Sequence, residues 1–198
     1  MLICYTVINN NKNGGDMTIM TLWMPILVSA ALIFVAGAVI WMVMPWHKTD
    51  WAATADEEAV RAALKSTPPG QYSLPHCPDQ AEFKDAEMRQ KFIDGPQAFI
   101  TVVPSGLPSM GPKLAMMFGC NLVVAIICAY VVSRTVAPGA HYLEIFRIAG
   151  TVAFVAYGYA YVQESIWFGR NWSATAKTFL DALIYGLLTG GVFGWLAS

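Results

Sequence analysis

From Leu22 to Met44 the chain runs for 23 residues without an ionisable group. At 1.5 Å per helical residue, roughly 20 residues cross the ~30 Å hydrocarbon core of a bilayer. Three further runs meet or approach the same length. The second is Leu114 to Val132. The third is uncharged from Ile148 to Val162 and is expected to extend from about Leu143 to Phe168. The fourth runs from about Thr178 to Ala197, with Asp181 near its start. In hydrocarbon each backbone N–H and C=O must be bonded within the segment, so runs of this kind are read as helices. A cleaved signal peptide would have a shorter apolar core and a small-residue cleavage site. The first run instead leaves through Met44-Pro45-Trp46-His47, which favours a retained helix. The expected fold class is therefore an all-α membrane protein, with four transmembrane helices and a small α+β extramembrane cap between helices 1 and 2.

Composition agrees, since 56% of residues are hydrophobic and only 13% charged. Soluble domains carry about a quarter. The net charge of -1 gives no general attraction to nucleic acid. From His47 to Pro112 there are six basic and nine acidic residues, a local net charge of -3. Short loops join spans two to three and three to four, making those neighbours antiparallel. Let side A hold the N-terminus and side B the cap. Trp23 and Trp195 then fall at A, and Trp46, Trp167 and Trp172 at B, as an interfacial aromatic belt requires. Lys48, Lys113, Arg170 and Lys177 flank the B ends, against Lys12, Arg134 and Arg147 at A. The positive-inside rule favours B as cytoplasmic.

The expected division is a flexible extension over 1–17, the first transmembrane helix within 18–46, the cap over 47–112 and helices 2–4 over 113–198. The Asn/Gly-rich stretch Asn9 to Asp16 has a flexible composition, with Met17 or Met20 as alternative starts. In the cap, Thr54-Ala-Asp-Glu57 reads as a capping box before a helix to about Lys65. Ser66-Thr-Pro-Pro-Gly70 breaks that helix, and Gln71 to Leu74 reads as a short strand. A second amphipathic helix is expected from about Ala81 to Ile93. Ala98 to Val103 has strong β propensity, which predicts a two-stranded hairpin against the membrane surface.

Candidate sites are few. His47, His76 and His141 do not share a depth, so two-histidine haem ligation within the membrane is excluded. His47 or His141 is a candidate to ligate a single pigment at a boundary. His76 and Cys77 form half of a metal site, beside Asp79. Cys120 and Cys128, eight apart, are read as small buried hydrophobes sharing roughly one helical face. Glu164, Arg170, Lys177 and Asp181 form a polar cluster at side B. Charged side chains in spans are functional suspects, although boundary charges also pair or snorkel. Gly186, Gly190 and Gly194, at four-residue spacing, form a groove for close helix approach, within the chain or to a partner subunit. Asn121 stands alone as a strongly polar side chain deep in a span. No phosphate loop, dinucleotide fingerprint, G-x-S-x-G or HExxH occurs.

Met44-Pro-Trp-His-Lys48, Pro68-Pro-Gly-Gln-Tyr72, Val103-Pro-Ser-Gly106 with Met110-Gly111, and Phe146-Arg-Ile-Ala-Gly150 occur together in this chain. With Ala156-Tyr-Gly158, Glu164-Ser-Ile-Trp167 and Trp195 they resemble a family of small four-helix bacterial membrane proteins without an assigned activity. The resemblance covers the chain from about Met20 onward and carries no catalytic residue. In size and topology the chain also resembles accessory membrane subunits of bacterial photosynthetic reaction-centre and antenna complexes. These likenesses imply a non-enzymatic accessory or scaffold subunit in a bacterial inner membrane, photosynthetic or respiratory. Its expected partners are other integral membrane subunits and lipids, with no nucleic acid. No covalently bound cofactor is expected, and pigment or lipid contacts would be peripheral. The alternative is a small transporter or channel using Glu164 and Asp181.

Overall fold

The computed structural model describes residues 17–79 and 81–198, so the extension expected over 1–17 lies outside the described residues except for Met17. Two compact units are present. The first comprises residues 17–44, Pro112–Ala160 and Thr178–Ser198; the second comprises Pro45–Gly111 and Tyr161–Lys177. The molecule is mostly helical, and four helices are long and apolar enough to cross a membrane.

The first unit is built on α1 (Trp23–Met42), α4 (Met110–Thr135), α5 (Tyr142–Gly158) and the larger part of α7 (Trp172–Ala197). Helix α6 (Ala160–Trp167) continues α5 after a single turn residue, Tyr159, and together they make one 26-residue span. Ile26 and Ala30 of α1, Cys128, Ala129 and Val132 of α4, Ile145, Ala149 and Ala153 of α5, and Phe193 of α7 form the core. Half of the most apolar stretch of α7 is buried, against 33% or less in the other three spans, so α7 is the most buried of the four. The opposite faces of α1 and α4, with Leu27, Val35, Val39, Val123, Ile126 and Ile127, are exposed and apolar. Apolar character on every side of a helix suits a lipid surround.

Two boundaries differ from expectation. Helix α7 starts at Trp172, not near Thr178. Asn171 caps it by accepting from Ser173 N at 3.0 Å, and the polar first turns hid that start in the apolar count. Helix α4 begins a turn earlier than its apolar run, at Met110. Cys120 and Cys128 do not share a face: Cys120 is exposed and Cys128 buried. Eight residues at about 100° each leave them roughly 80° apart.

In the second unit a 3-10 turn, Trp46–Thr49, follows α1. Helix α2 is Glu57–Leu64, with Asp56 as its cap. The Asp56 carboxylate accepts from Ala59 N at 2.9 Å, so the cap is two residues later than the Thr54 box implied. Strand β1 (Gly70–Leu74) pairs antiparallel with β2 (Ala98–Val102), in register Ser73 opposite Phe99 and Gln71 opposite Thr101. The connection carries a 3-10 turn, Glu82–Lys84, and α3 (Ala86–Asp94), so the pair is not a hairpin. Asp85 caps α3 and shortens the helix expected from Ala81, and Gly95, at φ 62°, ends it. From Lys48 to Gly111 no described residue is buried. This unit has no apolar core of its own between the α1 exit and α4.

Candidate functional site

A linked group of charged side chains lies where the chain leaves α1 and enters α7. The Pro45-led 3-10 turn brings His47 and Asp50 to one side, three residues apart. His47 Nδ1 donates to Asp50 Oδ2 at 2.7 Å. Lys177, in the second turn of α7, donates to Asp50 Oδ1 at 2.6 Å and to Thr49 Oγ1 at 2.8 Å. The Asp50 side chain is 5% exposed and that of Lys177 23%. Burial pushes the Asp50 carboxyl up; the hydrogen bonds from Lys177 and His47 and their charges pull it further down, so it titrates below its ordinary value. One carboxylate thus accepts from two basic groups on segments far apart in sequence. Chemically it is a charge clasp: both carboxylate oxygens are engaged.

This arrangement corrects the expected cluster of Glu164, Arg170, Lys177 and Asp181. Lys177 turns to Asp50 and not to Asp181, although Asp181 is four residues along the same helix. Glu164 is exposed, whereas Asp181 is buried, so the two carboxylates stand in different surroundings. The Arg170 guanidinium lies 4.7 Å from the centroid of the Tyr161 ring, a cation–π contact across the α6–α7 turn. Ser165 of α6 and Thr175 of α7 share a buried hydrogen bond of 2.6 Å. Asp50 is absent from the expected cluster because its partner Lys177 lies 127 positions away in sequence. The one available signal was the His47-x-x-Asp50 spacing, which puts the two side chains on one side of a helical turn.

The glycines of α7 meet α5. A methyl group at Gly190 would lie 2.7 Å from the Phe146 carbonyl oxygen, and one at Gly186 2.8 Å from that of Gly150. One at Gly194 would strike the Tyr142 ring at the same 2.7 Å. The groove is filled by span three of the same chain, so it is not open to a partner helix. Gly150 answers from the other side, and the two backbones touch where both lack a side chain.

Asn121 is not alone. Tyr157 Oη donates to Asn121 Oδ1 at 3.2 Å, and the Tyr157 and Tyr185 rings meet edge to face at 5.2 Å. Asn121 near the middle of α4, Tyr157 in the last turn of α5 and Tyr185 near the middle of α7 are thereby brought together. The distance in sequence between Asn121 and either tyrosine concealed this group. The other candidates are dispersed. His141 caps α5, its Nδ1 accepting from Leu143 N at 3.2 Å. His76 bonds Ser73 Oγ at 3.3 Å, and the Cys77 thiol bonds the Asp79 carbonyl at 3.2 Å. Among the described residues no three His, Cys, Asp or Glu side chains are placed to hold a metal ion. Comparison with protein-family models, with curated proteins and with solved structures finds no match to this chain.

Proposed function

We propose that this chain is a non-catalytic accessory subunit of a larger membrane assembly, crossing the bilayer four times. The observation that carries the reading is the coreless cap. A segment with no buried apolar residue among those described, which exposes Trp51, Phe83 and Ile93, needs a covering surface. The polar groups inside the helices support the same reading, because they are engaged in holding the fold. Lys177, Asp50 and His47 clasp one another, Tyr157 bonds Asn121, and the glycine groove is occupied. The motif resemblance to small bacterial membrane proteins favours an inner membrane, and the assembly we propose is a photosynthetic or respiratory one.

The test is recovery of a tagged chain from its native membrane in mild detergent, followed by mass spectrometry of co-migrating subunits. Stoichiometric integral membrane partners are expected, with recovery reduced in Phe83→Ser and Ile93→Asp. Migration of the chain alone would overturn the reading.

A small transporter or channel has one observation in its favour. Asp181, 3% exposed, is a carboxylate inside a candidate span, where a charge is costly and is retained for a reason. Its expected companion Glu164 is on the surface, so among the described residues Asp181 is the one carboxylate buried within a candidate span. Loss of solute flux in Asp181→Asn with assembly intact would favour this second reading.

A further inference from the structure

We propose that residues 99–110 lie in the plane of the lipid headgroup layer, so that the bilayer itself covers this edge of the cap. The inference rests on the reading that the long helices cross a membrane, and it begins with Phe99. The Phe99 ring packs edge-on against Phe168, with centroids 5.4 Å apart. Phe168 sits in the turn between α6 and α7, flanked by the exposed Trp167 and Trp172, which is the aromatic pattern of a membrane boundary. Phe99 therefore stands at boundary depth. The other end of the segment is fixed independently. Helix α4 has 26 residues, about 39 Å, against a ~30 Å core, so its first turn at Met110 falls within the headgroup layer.

Between these two pinned ends the chain exposes apolar side chains in sequence. Val103 is 70% exposed and Leu107 100% exposed, and Met110 is exposed as well. The backbone argues against deeper insertion. From Val103 to Ser109 it forms neither helix nor strand, and Gly106 turns at φ 129°. Its N–H and C=O groups need water, which the hydrocarbon core lacks and the headgroup layer supplies. Apolar side chains on a hydrated backbone are the pattern of a segment that lies on the membrane rather than in it.

The experiment uses the full chain in nanodiscs of phosphatidylcholine and phosphatidylglycerol, with no other protein present. Cys4, Cys77 and Cys120 are replaced by serine, and the buried Cys128 is left in place. Single cysteines at Val103, Leu107, Glu58 and Val123 carry an NBD fluorophore, and lipids carry a spin label near the headgroup or near the acyl end. The expected result is blue-shifted emission at 103 and 107, quenched at least twofold more by the shallow label than by the deep one. Glu58, on exposed α2, should emit as in water, and Val123, at the middle of α4, should be quenched by the deep label. Water-like emission at 103 and 107 with Val123 deep would overturn the inference while leaving the spans standing. Stronger quenching by the deep label at 107 would also overturn it, by placing the segment in the core. Shielding that occurs only in native membranes would assign this edge to a protein partner and overturn it likewise. Failure of Val123 to respond would remove the membrane reading on which the inference rests.

Discussion

A carboxylate taken out of water is stable only while its hydrogen-bond partners stay in place, and Asp50 has two partners on separate segments. Removing it leaves Lys177 and His47 without the acceptor that compensates their burial. Breaking a buried pair in this way costs about 3 kcal/mol. Asp50→Ala should therefore lower the thermal unfolding midpoint in detergent by several degrees. Glu164→Gln, on the exposed surface, should stay within about 0.5 kcal/mol of the parent. The contribution of Asp50 also has a defined pH dependence. Its carboxyl titrates below the ordinary value of 3.8, so the folded state binds fewer protons than the unfolded state near that pH. The stabilisation is complete above that value and declines as the pH falls through the lowered folded value. The gap in midpoint between parent and Asp50→Ala should be constant from about pH 7 to pH 5 and shrink only below pH 3.8. A gap that already closes near pH 6 would mean that the clasp depends on a different group.

At the scale of the element, α5 and α7 are a matched pair of backbones. The atoms that a methyl at Gly190 or Gly186 would meet are carbonyl oxygens, which cannot swing aside as a side-chain tip can. Overpacking of this kind costs about 1–3 kcal/mol. Gly190→Ala should therefore destabilise the protein by that amount. Gly191 is the internal control, because the nearest atom to a methyl there is Tyr142 Oη at 3.9 Å, an ordinary contact. Alanine is a better helix former than glycine by about 1 kcal/mol, so Gly191→Ala should be neutral or stabilising. Thermal unfolding of these two variants should give opposite signs at adjacent positions. Equal melting of Gly190→Ala and the parent would show a looser approach of α5 to α7. A larger side chain at Gly190 acts first on the chain's own packing, so loss of assembly in such a variant would not by itself identify a partner surface.

For the whole molecule, a crossing by each of the four long apolar helices would put both ends of the described chain on one side and the cap on the other. Single cysteines at Ser73 and Ser198 should then react with a membrane-impermeant thiol reagent from opposite sides of a sealed vesicle. Reaction of both from the same side would remove one crossing. A cap without a core also predicts how the molecule responds to extraction. Its apolar edge loses its covering when lipid is stripped away, so residues 99–110 should become protease-sensitive in harsh detergent before the helices do.

The four long helices were legible because crossing a bilayer is a condition on one segment at a time: enough residues, apolar enough, without charge. The two strands and the glycine groove were legible for the same reason, as each is a local pattern of residue types. The partners were not. Lys177 meets Asp50 across 127 positions of sequence, and Tyr157 meets Asn121 across 36. Such pairs depend on how far each helix is rotated about its axis and at what depth it starts. Asn171 moved the start of α7 by about six residues, and with it the position of Lys177 in the helix. Rotation and depth are set by packing, here by the contact of Gly186 and Gly190 with α5, and no single segment carries that information. Residue type and spacing decided which elements form; the close approach of helix backbones decided which polar groups face one another.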